Sequence, residues 1–234
     1  LDMNNWDNLA PTDAPTRFPQ IWDASWFTWV QYNASISNPM ARNIGEALGV
    51  KAVAKLHGCC AEKLPSTVRF QDLWNLEKML SGQAPYQGLT SPQWPAVFPP
   101  LDTAKVKRGK QLYKERCEGC HLPPVEELKD LLESGKAPWV KRDAAQPHPF
   151  LHNREIPLEE IGTDPNQALD FYNRTADSGD LKQGCLQADK GLDFLTKQMA
   201  LYFYTEQNFP PLIRKERSGW QDPMAVGIRA TKIY

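Results

Sequence analysis

The chain has 234 residues, of which 41% are hydrophobic, 27 are Lys or Arg and 28 are Asp or Glu. This length allows one large or two small domains, and the hydrophobic content excludes a disordered chain. A formal net charge of -1 gives no general attraction to nucleic acid or to an anionic membrane. No apolar run approaches the roughly 18 residues of a membrane span. We therefore expect neither nucleic acid nor an anionic membrane as a partner, and we expect no membrane span.

Residues 1–90 are predicted to form a helical segment rich in aromatic residues. The first 20 residues contain many Pro, Asn and Asp and show no periodicity, which indicates a surface segment. From Ile21 the apolar positions fall at helical spacing and predict one aromatic face, formed by Trp22, Trp26, Trp29 and Val30. Such a stripe is usually core, and the functional alternative is the wall of an apolar ligand pocket.

Two further amphipathic helices are predicted in this segment. The first starts at Asn38-Pro39 and stops at Gly49, and the second covers residues 71–80 and stops at Ser81-Gly82. Their apolar faces would consist of Met40, Ile44, Ala47 and Leu48 and of Leu73, Leu76 and Leu80. Residues 83–101, with four clustered prolines, are interpreted as a linker that separates the segment 1–90 from a second domain, 91–234.

The second domain is predicted to begin with a helix that has Asp102 or Thr103 as its N-cap and runs to about Arg116. Glycine inside a helix costs about 1 kcal/mol relative to alanine, so Gly109 suggests that another helix crosses closely there. Val106 and Tyr113 would share the face of Gly109. The crossing partner is a second amphipathic stripe, formed by Leu192, Leu195, Met199, Tyr202 and Phe203.

The residues directly after this helix read Cys117-Glu118-Gly119-Cys120-His121, the Cys-x-x-Cys-His signature of a covalently attached c-type haem. One turn of chain brings both thiols beneath the two vinyl groups of one porphyrin. The next residue, His121, can then ligate the iron, and its other ring nitrogen should donate to a backbone carbonyl. One alternative is half of a zinc site, which would need a second ligand pair at comparable spacing. The other is a redox-active dithiol, which would need a preceding strand. With two crossing helices, haem c here is the arrangement of a small cytochrome c.

Residues 122–190 are predicted to be mostly loop, with a short helix over Val125 to Leu132. The stretch HPFLHNRE contains His148, His152 and Arg154. A cation here could neutralise a haem propionate and either histidine could be a sixth iron ligand, while the simpler interpretation is a solvated polar loop. His57 is a minor ligand candidate, because a lone histidine is more often structural.

Cysteines outside the motif number three, Cys59, Cys60 and Cys185. In an oxidising compartment one of the adjacent pair could form a disulfide with Cys185. Buried reduced cysteines are an equally good interpretation.

The run LDTAKVKRGKQLYKERCEGCH, preceded by SPQWP and followed by IGTDP at residues 161–165, resembles the second haem region of secreted bacterial di-haem c-type cytochromes. These belong to the rubber-oxygenase-like branch of the cytochrome c peroxidase superfamily. The stretch WVQYNASISNPMARNIGEALGV at residues 29–50 also resembles that branch. The likeness covers most of the chain from about Trp22 to Asn208, and its functional residues carry over only onto Cys117, Cys120 and His121.

This resemblance implies a mainly α fold, with a cytochrome c-like haem domain, a preceding helical segment and long proline-rich loops. It also implies a periplasmic or secreted haem-dependent oxidoreductase, an oxygenase or peroxidase, in which one haem reacts with the oxidant and a second relays electrons. The implied partners are a redox protein or a second haem domain, and the implied substrate is an apolar small molecule or polymer. His121 would ligate the iron of the relay haem.

The chain departs from the family because it contains a single Cys-x-x-Cys-His and is much shorter. The resemblance then implies a fragment, with a first haem segment before Leu1 and the rest of the second haem domain after Tyr234. The aromatic stripe would border the pocket of that other haem. In such proteins the sixth ligand comes from further along the chain, so it is not assigned to His57, His148, His152, Met199 or Met224. The alternative function is a mono-haem electron carrier without catalytic activity.

Overall fold

A computed structural model describes residues 6–11, 13, 18, 20–31, 34, 36, 39–54, 66–141, 148–162, 164–178, 185–187, 190–191 and 194–195. The α-helices among them are α1 (Pro39–Val50), α2 (Phe70–Ser81), α3 (Thr103–Arg116), α4 (Val125–Glu133), α5 (Leu158–Ile161) and α6 (Asn166–Asn173). Two antiparallel hairpins pair β1 (Trp139–Val140) with β2 (Phe150–Leu151) and β3 (Thr175–Asp177) with β4 (Cys185–Gln187). None of the described helices has the length and apolar character needed to cross a bilayer.

Helices α1 and α2 pack against each other around the largest described apolar cluster. The helix predicted after Asn38-Pro39 is confirmed, although it ends at Val50, one residue past Gly49. Met40 and Ile44 are fully buried on its inner face. The cluster is completed by side chains from α2 and the segments on either side of the helix pair, Val68, Phe70, Trp74 and Leu195. Leu195, predicted to cross the later helix at Gly109, therefore packs on the α1–α2 pair instead.

The buried face of α2 differs from the prediction. A helix forms over Phe70–Ser81, but it buries Phe70, Trp74, Glu77 and Ser81 in place of the leucine stripe, and Leu76 is 53% exposed. Large aromatic side chains remove more apolar area from water than leucines do, so the face that carries Phe70 and Trp74 is the one that turns inward.

A buried ion pair joins the same two helices. The Glu77 carboxylate is completely buried, and its Oε2 accepts a hydrogen bond from Arg42 Nη2 at 2.7 Å and from Asn43 Nδ2 at 2.9 Å. Because a buried carboxylate is stable only when cations and donors surround it, this contact fixes how α1 and α2 meet.

The predicted aromatic helix over Trp22–Val30 is wrong. A single 3-10 turn, Ala24–Trp26, is followed by extended chain in which Phe27 bridges Leu151 and Val30 bridges Ile36. The left-handed φ of 54° at Asp23 interrupts any helix there. Long-range bonds replace the helical ones: the buried Trp26 indole donates to the Ser81 carbonyl at 2.7 Å. The three tryptophans of this segment, Trp22, Trp26 and Trp29, therefore do not form one stripe.

A second apolar cluster surrounds α4. Helix α4 is confirmed at the predicted position, ending at Glu133. The buried residues Leu128, Trp139 and Leu151 form the centre of the cluster, and the Trp139 indole donates to the Leu128 carbonyl at 2.8 Å. Partly buried neighbours come from both sides of residue 90, namely Phe27, Tyr86, Leu122, Leu131 and Leu132. The predicted boundary between 1–90 and 91–234 thus lies between two segments that share this cluster.

Helix α3 has the predicted limits. The Asp102 carboxylate caps it by accepting hydrogen bonds from the backbone N–H groups of Ala104 and Lys105 at 2.9 and 3.1 Å. Gly109 is exposed, and a Cβ built on it would meet no atom of the described residues within 4 Å, so no crossing helix is seen there within the described part of the chain. No residue of α3 is buried, and Leu195 of the predicted partner stripe packs on the α1–α2 pair. The rest of that stripe lies outside the described residues.

Candidate functional site

The five motif residues form a tight turn that prolongs α3. The N–H groups of Cys117 and Glu118 both donate to the Tyr113 carbonyl, at 2.8 and 3.0 Å. One turn later, the N–H groups of Cys120 and His121 both donate to the Cys117 carbonyl, at 3.0 and 2.8 Å. This pattern places the two cysteines one turn apart, with the histidine directly after the second.

Two long side chains fix this turn to the rest of the protein. The Tyr113 hydroxyl donates to the carbonyl of Leu122 at 2.5 Å, and Leu122 packs in the α4 cluster. From the other side, Arg154 Nη1 donates to the Gly119 carbonyl at 3.2 Å, while its Nη2 lies 3.7 Å from Glu160 Oε2. The motif is therefore held at its middle and at its end.

The side chains of the motif are accessible to a covalently bound porphyrin. Cys117 is half-buried, Cys120 and His121 are exposed, and both thiols are free. Within the described ranges, no three His, Cys, Asp or Glu side chains surround one point. Tetrahedral zinc needs such convergence, whereas in haem c the sulfurs bond to the ring edge and only the imidazole meets the iron. Cys117, Cys120 and His121 thus fit haem c as a donor set.

The electrostatics of the turn centre on Tyr113 and Glu118. Burial raises the pKa of the Tyr113 phenol, and the negative charge of Glu118 raises it further. Glu118 Oε2 is buried and makes no hydrogen bond within the described part of the chain. The phenol therefore stays protonated at neutral pH and keeps donating to Leu122.

A cleft of about 210 Å³ opens beside the turn. Arg154 links the two, because its guanidinium both lines the cleft and binds the Gly119 carbonyl. Asn153 Oδ1 is buried and makes no hydrogen bond to any described residue. The walls are formed by Trp29, Gln31, Ala34, Asn153, Arg154, Glu155, Ile156 and Ile161. Trp29, from the predicted aromatic stripe, thus lines a mixed apolar and polar cleft close to the motif.

Of the three polar residues predicted in HPFLHNRE, only Arg154 reaches the motif. The His148 ring meets the edge of Trp26, with ring centroids 6.0 Å apart. His152 Nδ1 lies 3.1 Å from the Thr28 hydroxyl oxygen. Both histidines therefore contact the N-terminal segment.

Several other candidates are resolved differently or fall outside the described residues. Cys185 is a free, exposed thiol in β4, so neither the disulfide nor the buried-cysteine interpretation describes it. The expected hydrogen bond from the His121 ring to a backbone carbonyl is not found among the described residues. The candidates outside the described residues are His57, Cys59, Cys60, Met199 and Met224.

Sequence reasoning missed the two contacts that hold the turn. The Tyr113 hydroxyl reaches across nine residues and Arg154 across 35, and neither distance appears in a periodic pattern. Helical periodicity predicts that Tyr113 faces another helix, whereas the sequence already indicates Arg154 as a cation close to the haem region. The sequence therefore contains a signal for the Arg154 contact and none for the Tyr113 contact.

The chain is similar to one curated protein, y4iJ from Sinorhizobium fredii (strain NBRC 101917 / NGR234), which is described as uncharacterized. The two are 36% identical over 241 residues, an alignment that includes all of this chain and 40% of the relative. The chain therefore spans about 40% of the length of this relative. No protein-family model matches the chain. No solved structure matches it either.

Proposed function

We propose that this chain is part of a di-haem c-type oxidoreductase of the periplasm or cell exterior, an oxygenase or peroxidase, and carries its electron-relay haem. The observation that supports the proposal most is the turn at the end of α3, where Cys117 and Cys120 lie one turn apart and His121 follows. The alignment along the whole chain with a relative of about 2.5 times its length is compatible with a larger multi-part protein.

Each residue of the turn has a role in this proposal. Cys117 and Cys120 anchor the porphyrin through thioether bonds, and the His121 imidazole ligates the iron from one side. When bound, haem c supplies a one-electron couple. Tyr113 and Arg154 hold the backbone of the turn, so that thiols and imidazole keep their relative positions.

The cleft beside Arg154 offers a place for a small ligand next to the turn. Trp29, Ile156 and Ile161 form the apolar part of its wall, and Arg154 and Asn153 offer a donor and an acceptor. Its volume of about 210 Å³ is below the 300–1,000 Å³ of ordinary ligand pockets, so it accommodates a small molecule or one short piece of a polymer.

A mono-haem electron carrier is the second candidate, because the chain contains one Cys-x-x-Cys-His. The two functions differ at the iron. A carrier keeps both axial positions filled, whereas the intact di-haem enzyme has one iron that binds carbon monoxide, cyanide or peroxide. Adding these ligands to the protein and recording its absorption spectrum separates the two.

Covalent attachment of haem to Cys117 and Cys120 is tested by producing the chain in a bacterial periplasm that contains the c-type haem maturation apparatus. We expect the intact mass to include one covalently bound porphyrin. Cys117→Ala with Cys120→Ala should abolish that added mass. Cys185→Ala is the matched control, because Cys185 is also a free and exposed thiol, and it should keep the porphyrin. A wild-type chain without added mass, or one that contains zinc, would refute the proposal.

His121→Ala tests the axial ligand separately. The thioether bonds remain, so the added mass should persist, while the absorption bands of the imidazole-ligated iron should shift. Identical spectra for the wild type and this variant would show that another residue ligates the iron on this side.

A further inference from the structure

Helix α3 is strongly basic in a chain that is nearly neutral. Its 14 residues include one acidic residue, Glu115, whereas the whole chain has a formal net charge of -1. The basic residues are Lys105, Lys107, Arg108, Lys110, Lys114 and Arg116, and all of them are exposed. The charge therefore lies on the surface of the helix that leads directly into Cys117.

Three of the six cations, Lys107, Lys110 and Lys114, lie within an arc of about 60° on one face of the helix. Lys114 and Lys110 turn toward α4, where their ammonium groups lie 2.7 and 4.0 Å from Glu127 Oε1. Helix α4 contributes further acidic residues on that side, Glu126, Asp130 and Glu133, against one Lys129. The charges of this face are therefore largely balanced by the neighbouring helix.

The opposite face carries a basic stripe, formed by Lys105, Arg108 and Arg116. At about 100° per residue these positions lie within an arc of about 80°. None of the three forms an ion pair within the described part of the chain. The stripe extends about 16 Å along the helix, at 1.5 Å per residue, and ends next to Cys117.

Helix stability does not account for the stripe. Cations near the C-terminus of a helix are favoured by its dipole, which explains Arg116. Lys105 lies in the first turn, where a positive charge is unfavourable, and Arg108 lies near the middle. Two of the three charges thus have no stabilising role within α3.

Exposed apolar side chains lie near the start of the same helix. Phe98, Leu101 and Val106 are each about half exposed, at 53%, 52% and 53%. Exposed apolar residues close in sequence to a group of cations fit a protein–protein interface, which combines a hydrophobic centre with complementary charges. A purely ionic polymer would use the cations and leave these apolar residues in water.

We propose that the basic stripe is the docking surface for an acidic redox protein that exchanges electrons with the group held by Cys117, Cys120 and His121. This inference rests on the proposed function, and it adds the charge of the partner and the face that receives it. Opposite charges speed the encounter and orient the partner, and Arg116 directs it to the end of the helix where the cofactor is attached.

The test uses the full haem-loaded chain and a variant in which Lys105, Arg108 and Arg116 are all changed to Glu. Reduced [2Fe–2S] ferredoxin, an acidic redox protein, serves as the probe in stopped-flow experiments. At low ionic strength we expect the second-order rate constant to fall about 10-fold or more, and the difference to shrink at ~0.5 M salt. The matched control changes the exposed Lys51, Lys136 and Lys141 to Glu, which also form no ion pair within the described part of the chain, and should change the rate less than about 2-fold.

Three further measurements make the outcome decisive. Changing the same three stripe residues to Gln should give a smaller fall in the same direction, and circular dichroism should show that both variants keep α3. Hexaammineruthenium(II), a small cation, should react with the stripe variant at least as fast as with the wild type. Equal losses in the stripe and control variants, or no loss in either, would overturn the proposal.

Binding of oxidised ferredoxin, followed by calorimetry, separates this inference from the proposed function. Absence of covalent porphyrin refutes the proposed function, whereas porphyrin present with ferredoxin binding independent of the stripe refutes only the docking surface. Stripe-dependent binding to heparin without stripe-dependent binding to ferredoxin would indicate a polyanion partner and would also overturn the proposal.

Discussion

Changing Arg42 to Met should be among the most destabilising single substitutions outside the apolar core. Arg42 is the only cation paired with Glu77 among the described residues, and the Glu77 carboxylate is completely buried. After the change Glu77 keeps one donor, Asn43 Nδ2 at 2.9 Å, and its charge is uncompensated. Breaking a buried pair in this way typically costs about 3–5 kcal/mol. A loss of this size is about 30–50% of the ~10 kcal/mol by which an ordinary domain is stable.

Urea denaturation, followed by tryptophan fluorescence at neutral pH, measures the effect. Arg69→Met is the matched control, because Arg69 pairs with Asp72 on the surface with an 83% exposed side chain, and it should cost about 0.5 kcal/mol. Replacing both Arg42 and Glu77 by Met should recover most of the stability, because no buried charge remains. The reasoning is refuted if Arg42→Met costs no more than Arg69→Met, or if the double variant is as unstable as the single one.

Three further predictions test other parts of the fold. Trp26→Phe removes the buried indole donor to the Ser81 carbonyl and should cost about 1–3 kcal/mol in urea denaturation; an unchanged midpoint would contradict the role of this bond. Asp102→Ala removes the N-cap of α3 and should cost about 1 kcal/mol, with faster amide exchange at Ala104 and Lys105; unaltered exchange would show that the cap is dispensable. Burial and the charge of Asp23 raise the pKa of Tyr86 from 10.0 to about 12, so the unfolded chain ionises first and stability falls as the pH rises through this interval. Tyr86→Phe should remove that alkaline loss, and equal loss in both proteins between pH 10 and 12 would count against it.

Local signals in the sequence were reliable where a helix is specified by its own ends. Pro39 opens α1, Asp102 caps α3, and the limits of both helices agree with the prediction to within one residue. Capping depends on side chains within four residues of the helix end, so the sequence contains all of the information that it needs.

Predictions that required knowing what a face packs against were wrong. The leucine stripe of α2 obeyed helical periodicity, yet the face with Phe70 and Trp74 is the buried one, and the Glu77 that it carries is paired with Arg42 of another helix. The tryptophans after Ile21 also had helical spacing, but the indole of Trp26 and the backbone of Phe27 find partners at Ser81 and Leu151. Periodicity reports that an apolar face exists and does not identify its partner.

The sequence by itself predicted the haem c motif, since the spacing of two cysteines and a histidine within five residues is set by the chain alone. It also determined the charge of α3, because residue types alone set that charge. Only the tertiary structure decided that Arg154 reaches the Gly119 carbonyl, that Lys110 and Lys114 pair with Glu127 of α4, and that the stripe of Lys105, Arg108 and Arg116 forms no ion pair within the described part of the chain. The physical reason is the distance along the chain over which each effect acts. Covalent spacing and helix capping involve a few neighbouring residues, whereas the pairing of a charge depends on which distant segment folds against it.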